Sequence, residues 1–481
     1  MNISAENKPV IAIFGIGYVG LVSAICLAKI GNKVIAVDSN QEKIAKLQDG
    51  KIPIYEPDLA ELLAEMPAEQ RPIFTTDADF AINQSQAIFI AVGTPQSDDG
   101  SADMSAVFDC VEKITKLAKE SKIIVTKSTV PAGTGEEIAK IINKNKQESP
   151  EIQDLQFVVA SNPEFLREGF AVFDFLNPQR IIIGCNSEKS REFLAKIYRY
   201  FPSEKLIFTS IVTAEIIKYS ANSFLAMKVA FINEMANLAT KFSADINQLA
   251  IGIGSDSRIG ADFLKPGPGF GGSCFPKDLA AINYFAKKNM VDLPLIATTI
   301  NSNNLHQERI ARNIAILINN IYKQNNEKVN IAIIGTAFKA NTDDIRESPA
   351  LKIADLIIAN CITDRAENIV KSMVFSDPQA MKPTEIYYQP IIANNKNRLI
   401  DKIISFNENH EDAIRDADLI IIATEWLQYR HINWQEYISP HRPQNGKTIY
   451  DLRNIANEAN ILACNFSYYC IGKDNIIDLL S

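Results

Sequence analysis

The chain has 481 residues, 47% hydrophobic and 22% charged, with a formal net charge of -8. At about 150 residues per domain, this length suggests roughly three domains, each with a real core. The acidic balance gives no reason to expect nucleic acid or an anionic membrane as partner, so an anionic small molecule would need local positive charge.

The N-terminus, MNISAENKPV, has no basic stretch followed by an apolar one, and no signal peptide is expected. Apolar runs are short and broken, so no membrane span is expected either. Seven scattered cysteines with no CxxC read as reduced thiols in a cytoplasm, and four dispersed histidines (His306, His410, His431, His441) suggest no metal cluster.

In chain order, Val10 to Gly15 reads as a buried parallel strand, Gly20 to Ile30 as a helix and Lys33 to Asp38 as a second strand, a βαβ unit. Further strand-like runs lie at Ala87 to Val92, Lys122 to Thr126, Phe157 to Ala160 and Arg180 to Gly184, mostly separated by helical segments. One doubly wound parallel sheet is predicted over roughly the first 200 residues. From Thr213 to Phe242 there is no Gly or Pro and apolar residues recur at helical spacing, which predicts one long helix. More helix follows to about Asn320, interrupted by a Gly- and Pro-rich loop at Lys265 to Ser273. Val329 to Gly335 again reads as a strand entering a turn, followed by Met373 to Ser376, Leu419 to Ala423 and Thr448 to Tyr450. Segments around Cys361 to Ser372 and Ala380 to Lys402 are polar and irregular and receive no element. The expected fold class is α/β: two Rossmann-like doubly wound parallel-sheet domains joined by a long central helix and a helical middle domain. The expected divisions are 1–205, 206–325 and 326–481.

Gly15-Ile16-Gly17-Tyr18-Val19-Gly20 is GxGxxG directly after a strand and opening a helix. The first Gly permits the tight turn, the second lets backbone approach a pyrophosphate, and the third lets helix pack on strand. Asp38 ends the next strand, where its carboxylate can accept hydrogen bonds from a ribose and would repel a 2′-phosphate. NAD is favoured over NADP. The plain alternative, a glycine-rich turn with no cofactor, leaves that spacing unexplained.

Phe263 to Asp278 (FLKPGPGFGGSCFPKD) packs four glycines and three prolines into sixteen residues, which suggests a loop that approaches a ligand closely. Cys274 sits in it with Lys277 and Asp278 close behind, and a nearby ammonium favours thiolate. A small buried hydrophobe is the better reading for Cys26, Cys110, Cys185 and Cys361. On the long helix, Lys218 and Asn222 are i and i+4 on one face. They are either a solvated stripe or a pair of donors for an oxyanion.

These motifs, with KSTVPAGTG from Lys127, SNPEFLREG from Ser161, KYSANSFLAMK from Lys218, DSRIG from Asp256 and FKANTDDIRESPA from Phe338, resemble the nucleotide-sugar dehydrogenases that make uronic acids. Beyond Ala350 the likeness thins to FSDPQA, IIATEW and YDLRN. The resemblance implies that Cys274 is the nucleophile, that Lys218, Asn222 and Asp278 surround the reacting carbon and a water, and that Thr129 and Glu164 hold that water. It implies that Phe165 and Leu166 border the substrate by their backbone, with Phe263 and Gly271 also on that side. Arg258 would reach a substrate held mainly by a neighbouring subunit, hence at least a homodimer. Phe338, Lys339 and Arg453 would line the nucleotide-sugar side. Lys43, Thr94, Thr129, Glu168, Lys277 and Arg346 would lie against NAD with the glycine turn.

The chemistry implied is a four-electron oxidation of a primary alcohol to a carboxylate, with a cysteine adduct between two hydride transfers. Among UDP-glucose, GDP-mannose and UDP-N-acetylmannosamine, the wording of the motifs favours UDP-glucose. Two other readings stay open. One is a two-electron dehydrogenase of the hydroxyacid type with a structural Cys274. The other is an NAD-responsive binding protein.

Overall fold

The computed structural model describes residues 8–361, 368–394, 399–438, 446–473 and 476. Parts of the two stretches given no element (362–367 and 395–398), and His441, lie outside them. The chain packs as two compact units, Met1–Ala221 with Ala280–Asp292, and Asn222–Leu279 with Leu293–Ser481. The middle section, expected as one helical domain over 206–325, is shared between these units.

The first unit is built on β1 (Val10–Phe14), β2 (Lys33–Val37), β3 (Ile73–Thr75), β4 (Ala87–Ile90), β5 (Lys122–Thr126), β6 (Phe157–Ser161), β7 (Ile181–Cys185) and β8 (Leu206–Thr209), in spatial order 3-2-1-4-5-6-7-8. β1 and β4 are continuous apolar runs because both faces of the sheet are covered. Pairing is parallel up to β6, then antiparallel between β6 and β7, then parallel again to β8. The uniform parallel sheet expected from sequence is thus reversed over its last two strands. The connection from β6 to β7 holds only a six-residue helix, Ala171–Leu176. β7 enters the sheet at the end where β6 leaves it, as antiparallel pairing allows.

The second unit holds β9 (Val329–Ile334), β10 (Val370–Ser376), β11 (Ile404–Phe406), β12 (Leu419–Ile422), β13 (Thr448–Asp451) and β14 (Ser467–Cys470), all parallel, in order 11-10-9-12-13-14. The helix Pro294–Asn325 lays Ile310, Ile314, Leu317 and Ile321 into one core with Ile331, Ile333, Ile353 and Ile357. That stripe recurs at three- and four-residue steps, as a half-buried helix requires. The predicted long helix runs Ile211–Lys241. A helix also covers Met381–Asn394, with Pro390 inside it, where sequence suggested irregular chain. An interior proline is a breaker signal that tertiary packing overrode.

Four strands escaped the sequence reading: β3, β8, β11 and β14. They are the four edges of the two sheets. Each is three or four residues long with mixed exposure, too short to show a period, and short edges are how sheets avoid pairing with other chains. In both sheets the strand order reverses beside the first strand, between β1 and β4 and between β9 and β12. Such switch points open a crevice at the carboxyl ends of the strands. No described helix is long and apolar enough to cross a membrane.

Candidate active site

At the first switch point β1 is followed by Gly15, whose φ is +90°. A Cβ on Gly20 would lie 1.9 Å from the Gly15 carbonyl oxygen, so these two glycines are demanded by the turn itself. Gly17 differs: a Cβ there would meet nothing within 4 Å. It opens the helix Tyr18–Lys29, which has no side-chain cap and no acid in its first turn. Backbone N–H groups at a positive helix end, with room in front of them, suit a pyrophosphate. Asp38 accepts from Ile16 N (2.9 Å), Asn40 N (3.0 Å) and Lys43 Nζ (2.9 Å). Burial pushes its carboxyl up, but Lys43 and the two amides outweigh this and hold it below the ordinary value. It is therefore an ionised acceptor at neutral pH, as a ribose diol needs. These residues fit NAD.

Two further cofactor candidates lie in this unit. Thr94 is buried and donates to the Thr129 carbonyl at 3.0 Å. Glu168 precedes Gly169, whose N–H goes to Glu56 at 2.7 Å. Glu56 also accepts from Ala171 N (2.6 Å) and from the Tyr18 hydroxyl, so it ties the segment after Glu168 to the glycine turn. Sequence reasoning missed Glu56, since nothing in IPIYEPDL sets it apart from a surface acid.

In the same unit Glu164 and Lys218 form a buried ion pair at 3.0 Å, their side chains 7% and 5% exposed. Leu166 N donates to the other Glu164 oxygen at 2.6 Å. Burial pushes the Glu164 carboxyl up, yet Lys218, the Leu166 amide and Lys127 together bring it below the ordinary carboxylate value. The Phe165 ring carries Lys218 Nζ 5.4 Å and the Arg180 guanidinium 4.1 Å from its centroid. Of the two readings of Lys218, the solvated stripe is excluded by its burial.

The second unit holds the cysteine loop. Its backbone is satisfied by side chains from the long helices. Asn303 bonds both the N–H and the carbonyl of Phe270 (2.8 and 3.1 Å), Asn233 accepts from Gly267 N (2.9 Å), and His306 Nε2 sits 2.7 Å from the Gly267 carbonyl. Its glycines serve internal packing. A Cβ on Gly271 would lie 2.1 Å from the Glu347 carbonyl, and one on Gly269 (φ +103°) 2.5 Å from Asn303. Gly271, expected on the substrate side, thus owes its size to a protein neighbour. Phe263 is itself left-handed (φ +64°), its ring 6.0 Å from that of Phe275.

Cys274 stands where the loop becomes the helix Phe275–Lys288. Its carbonyl accepts from Asp278 N at 2.9 Å, and its sulfur lies 3.6 Å from Ser273 Oγ. A helix N-terminus favours thiolate. The Asp278 carboxylate, 1% exposed, takes Lys277 Nζ on one oxygen and Asn222 Nδ2 on the other, each at 2.6 Å. By contrast, burial pushes the thiols of Cys26, Cys110, Cys185 and Cys361 up, Cys110 to about 11.

The remaining candidates also belong to the second unit. Arg453 donates to the Phe338 carbonyl (2.8 Å) and the Ala423 carbonyl (2.9 Å), which clasps the turn after β9. Lys339 Nζ lies 5.3 Å from the Phe338 ring centroid. Arg346 pairs with Asp344 at 2.7 Å and Arg258 with Asp256 at 2.5 Å, their side chains 65% and 87% exposed. Within units the structure therefore brings together Glu164, Lys218 and Phe165, and separately Cys274, Asn222, Lys277 and Asp278.

Three family models of the UDP-glucose/GDP-mannose dehydrogenase family match the chain: the NAD binding domain over residues 9–202, the central domain over 212–305 and the UDP binding domain over 332–458. A UDP-glucose 6-dehydrogenase of Rickettsia conorii is 38% identical over 96% of this chain and 99% of its own length. The structure of a UDP-glucose dehydrogenase from Pyrobaculum islandicum superposes with a TM-score of 0.82 at 29% identity, covering 98% of this chain and 99% of that one. A UDP-D-ManNAc dehydrogenase from Pyrococcus horikoshii gives 0.76 at 27% identity, covering 97% of this chain and 100% of that one. With an NAD-type glycine turn, a buried lysine–glutamate pair and a cysteine at a helix start, the chain belongs to the UDP-glucose/GDP-mannose dehydrogenase family of NAD-dependent enzymes.

Proposed function

We propose that the chain oxidises UDP-glucose to UDP-glucuronate, a four-electron reaction passing through a covalent adduct on Cys274. The observation that carries this reading is the first turn of the cysteine helix. There a nucleophile and a fully buried carboxylate, Asp278, are four residues apart, the latter held by Lys277 and Asn222. A two-electron alcohol dehydrogenase has no use for that sulfur.

Bound NAD supplies the hydride acceptor, for two transfers in turn. The alcohol loses a hydride and a proton to become an aldehyde. The Cys274 thiolate then adds to the carbonyl carbon, since an aldehyde gives up its hydrogen as hydride only after a nucleophile has added. Lys218 and Asn222 supply N–H donors for the resulting oxyanion, and Glu164 keeps Lys218 charged. Loss of the second hydride leaves a thioester. Asp278 activates water, the C–O bond forms, the C–S bond breaks and the thiolate is restored.

In this reading residues 1–205 carry NAD, 206–325 carry the chemistry and 326–481 carry the nucleotide, with Phe338, Lys339 and Arg453 beside it. Arg346, Lys277 and Glu168 serve the cofactor. The choice of UDP-glucose is supported by the relative from Rickettsia conorii, more similar in sequence than the UDP-D-ManNAc dehydrogenase. A homodimer is supported by Phe224, Phe231 and Leu238. They lie at seven-residue intervals on the long helix, 58%, 45% and 54% exposed, a stripe that a second copy would cover. Arg258, far out in solvent, would then reach the neighbour's substrate. Seven scattered cysteines with no CxxC among them suit a reducing compartment, the cytoplasm, as the place of work.

The test is NADH formation with UDP-glucose, UDP-N-acetylmannosamine and GDP-mannose. Two NADH per UDP-glucose, and loss of net turnover in Cys274→Ser, are expected. One NADH with an accumulating carbonyl product would instead establish the two-electron reaction. NAD binding without turnover on any of the three would leave a binding protein.

A further inference from the structure

Between β6 and the helix Ala171–Leu176 runs an irregular stretch that carries Glu164, Phe165, Leu166 and Glu168. With no helix or strand to set its course, its shape depends on where its amide N–H groups find acceptors. Three carboxylates supply them. Glu164 accepts from Leu166 N at 2.6 Å and Asp174 from Arg167 N at 3.0 Å, both of them local acceptors. The third, Glu56, lies 113 residues before Gly169 in the chain. It takes Gly169 N on one oxygen (2.7 Å) and Ala171 N on the other (2.6 Å).

Glu56 is 6% exposed. The Tyr18 hydroxyl gives it a third bond and itself accepts from Gly169 N at 3.0 Å. Tyr18 is the first residue of the helix Tyr18–Lys29, at the glycine turn. A carboxylate suits this place because both of its oxygens face donors, whereas a glutamine would turn an NH₂ group against one of them. A buried carboxylate is tolerated only when its oxygens are filled in this way. The stretch is thus fastened at both ends, to Lys218 through Glu164 and to the cofactor turn through Glu56 and Tyr18. Every one of these bonds joins protein atoms.

We propose that Glu56 and Tyr18 are positioning residues of the reaction: they hold the Glu164–Lys218 pair in place between the two hydride transfers, while NADH leaves and a second NAD enters. The proposal rests on the functional reading above, in which Lys218 meets the oxyanion of the Cys274 adduct. A strut made of protein atoms does not let go when the cofactor does. With the strut weakened, the pair drifts in that interval, the sulfur adds to the carbonyl carbon more slowly, and free aldehyde escapes.

The experiment is turnover of UDP-glucose by wild type, Glu56→Gln and Tyr18→Phe, with NAD saturating for each. Semicarbazide is present, which condenses with a free aldehyde and loses water, and the semicarbazone is measured by mass spectrometry against NADH. The wild type should give two NADH per UDP-glucose and no semicarbazone. Glu56→Gln should divert at least about a tenth of turnovers into semicarbazone, each with one NADH, because a misplacement of about 1 Å can slow a step roughly a hundredfold. Tyr18→Phe keeps both amide bonds and should divert a smaller share. It decides the matter where the thermal midpoint shows that Glu56→Gln is unfolded. Asp38→Ser is the control, since it weakens NAD without touching the strut and should give no semicarbazone. A folded Glu56→Gln that is slower but releases no aldehyde, a Tyr18→Phe that releases none, or an equal release from Asp38→Ser overturns the proposal. A wild type that gives one NADH and free carbonyl product, or no turnover on any nucleotide sugar, overturns the functional reading instead, and it is seen before a variant is made.

Discussion

Two turns in this chain begin alike and end differently. β1 is followed by Gly15 at φ +90° and β9 by Gly335 at φ +93°. Gly15 N donates to the Val37 carbonyl (2.9 Å) and Gly335 N to the Ser376 carbonyl (2.7 Å). Asp38, just after β2, accepts from Ile16 N, and Asp377, just after β10, accepts from Thr336 N at 2.7 Å. Beyond this the pair diverges. Asp38 is partly exposed, and a helix starts three residues past Gly15 with its end uncapped. Asp377 is 2% exposed and also takes Ala337 N, Gln379 N, Ala380 N and the Trp426 indole N–H. A carboxylate has about four lone-pair sites, so nothing is left for a ribose. The next helix starts only at Pro349, and the intervening loop carries Phe338, Lys339 and Arg346. One backbone device thus leaves a partly exposed acceptor in the first sheet and is used up by its own loop in the second.

The comparison can be broken most severely at the glycines. Gly20→Val puts a side chain into the Gly15 carbonyl, and NAD affinity should fall by at least about a hundredfold, read by fluorescence titration. Retained affinity would show that the turn does not hold the cofactor. Next is the buried pair: Lys218→Met strands the Glu164 charge and should cost about 3–5 kcal/mol in urea unfolding, whereas Glu164→Gln with Lys218→Met together should cost less. Additive losses would deny the coupling.

The two aspartates should then separate. Asp377→Asn should lower stability by about 2–3 kcal/mol and leave NAD affinity unchanged. Asp38→Ser should do the reverse, weakening NAD roughly tenfold and improving NADP, with Lys43 left to meet a 2′-phosphate. The last test is graded by pH and concerns Glu215. It caps the helix Thr134–Glu148 through Gly133 N (2.7 Å) and Gly135 N (2.8 Å), and burial raises its carboxyl from 4.5 to about 7. A raised acid contributes stability that is full below 4.5 and lost as pH rises through about 7. Relative to Glu215→Gln, the wild type should lose up to about 3 kcal/mol as pH rises through those values. A flat difference would place the shift elsewhere.

Much of the site was legible because its signals are local. GxGxxG and Asp38 announce themselves by spacing, and the cysteine loop by its glycines and prolines. The reason for those glycines was not legible. Loop composition suggested an approach to ligand, while Gly271 and Gly269 make room for Glu347 and Asn303, residues far along the chain. Glu56, which ties Tyr18 to Gly169, was invisible because its partners are more than thirty residues away. Lys127 was visible as part of a motif, but its burial against both oxygens of Asn162 was not.

Strand cores, the long helix and the presence of two α/β sheets follow from the residues alone, since periodicity and turn chemistry act over a few positions. The four sheet edges, the reversal at β7, the division of the middle section between two units and the separate fates of Asp38 and Asp377 were decided by tertiary structure. Each depends on which distant donor or neighbour arrives at a given atom, and no short window of sequence contains that partner.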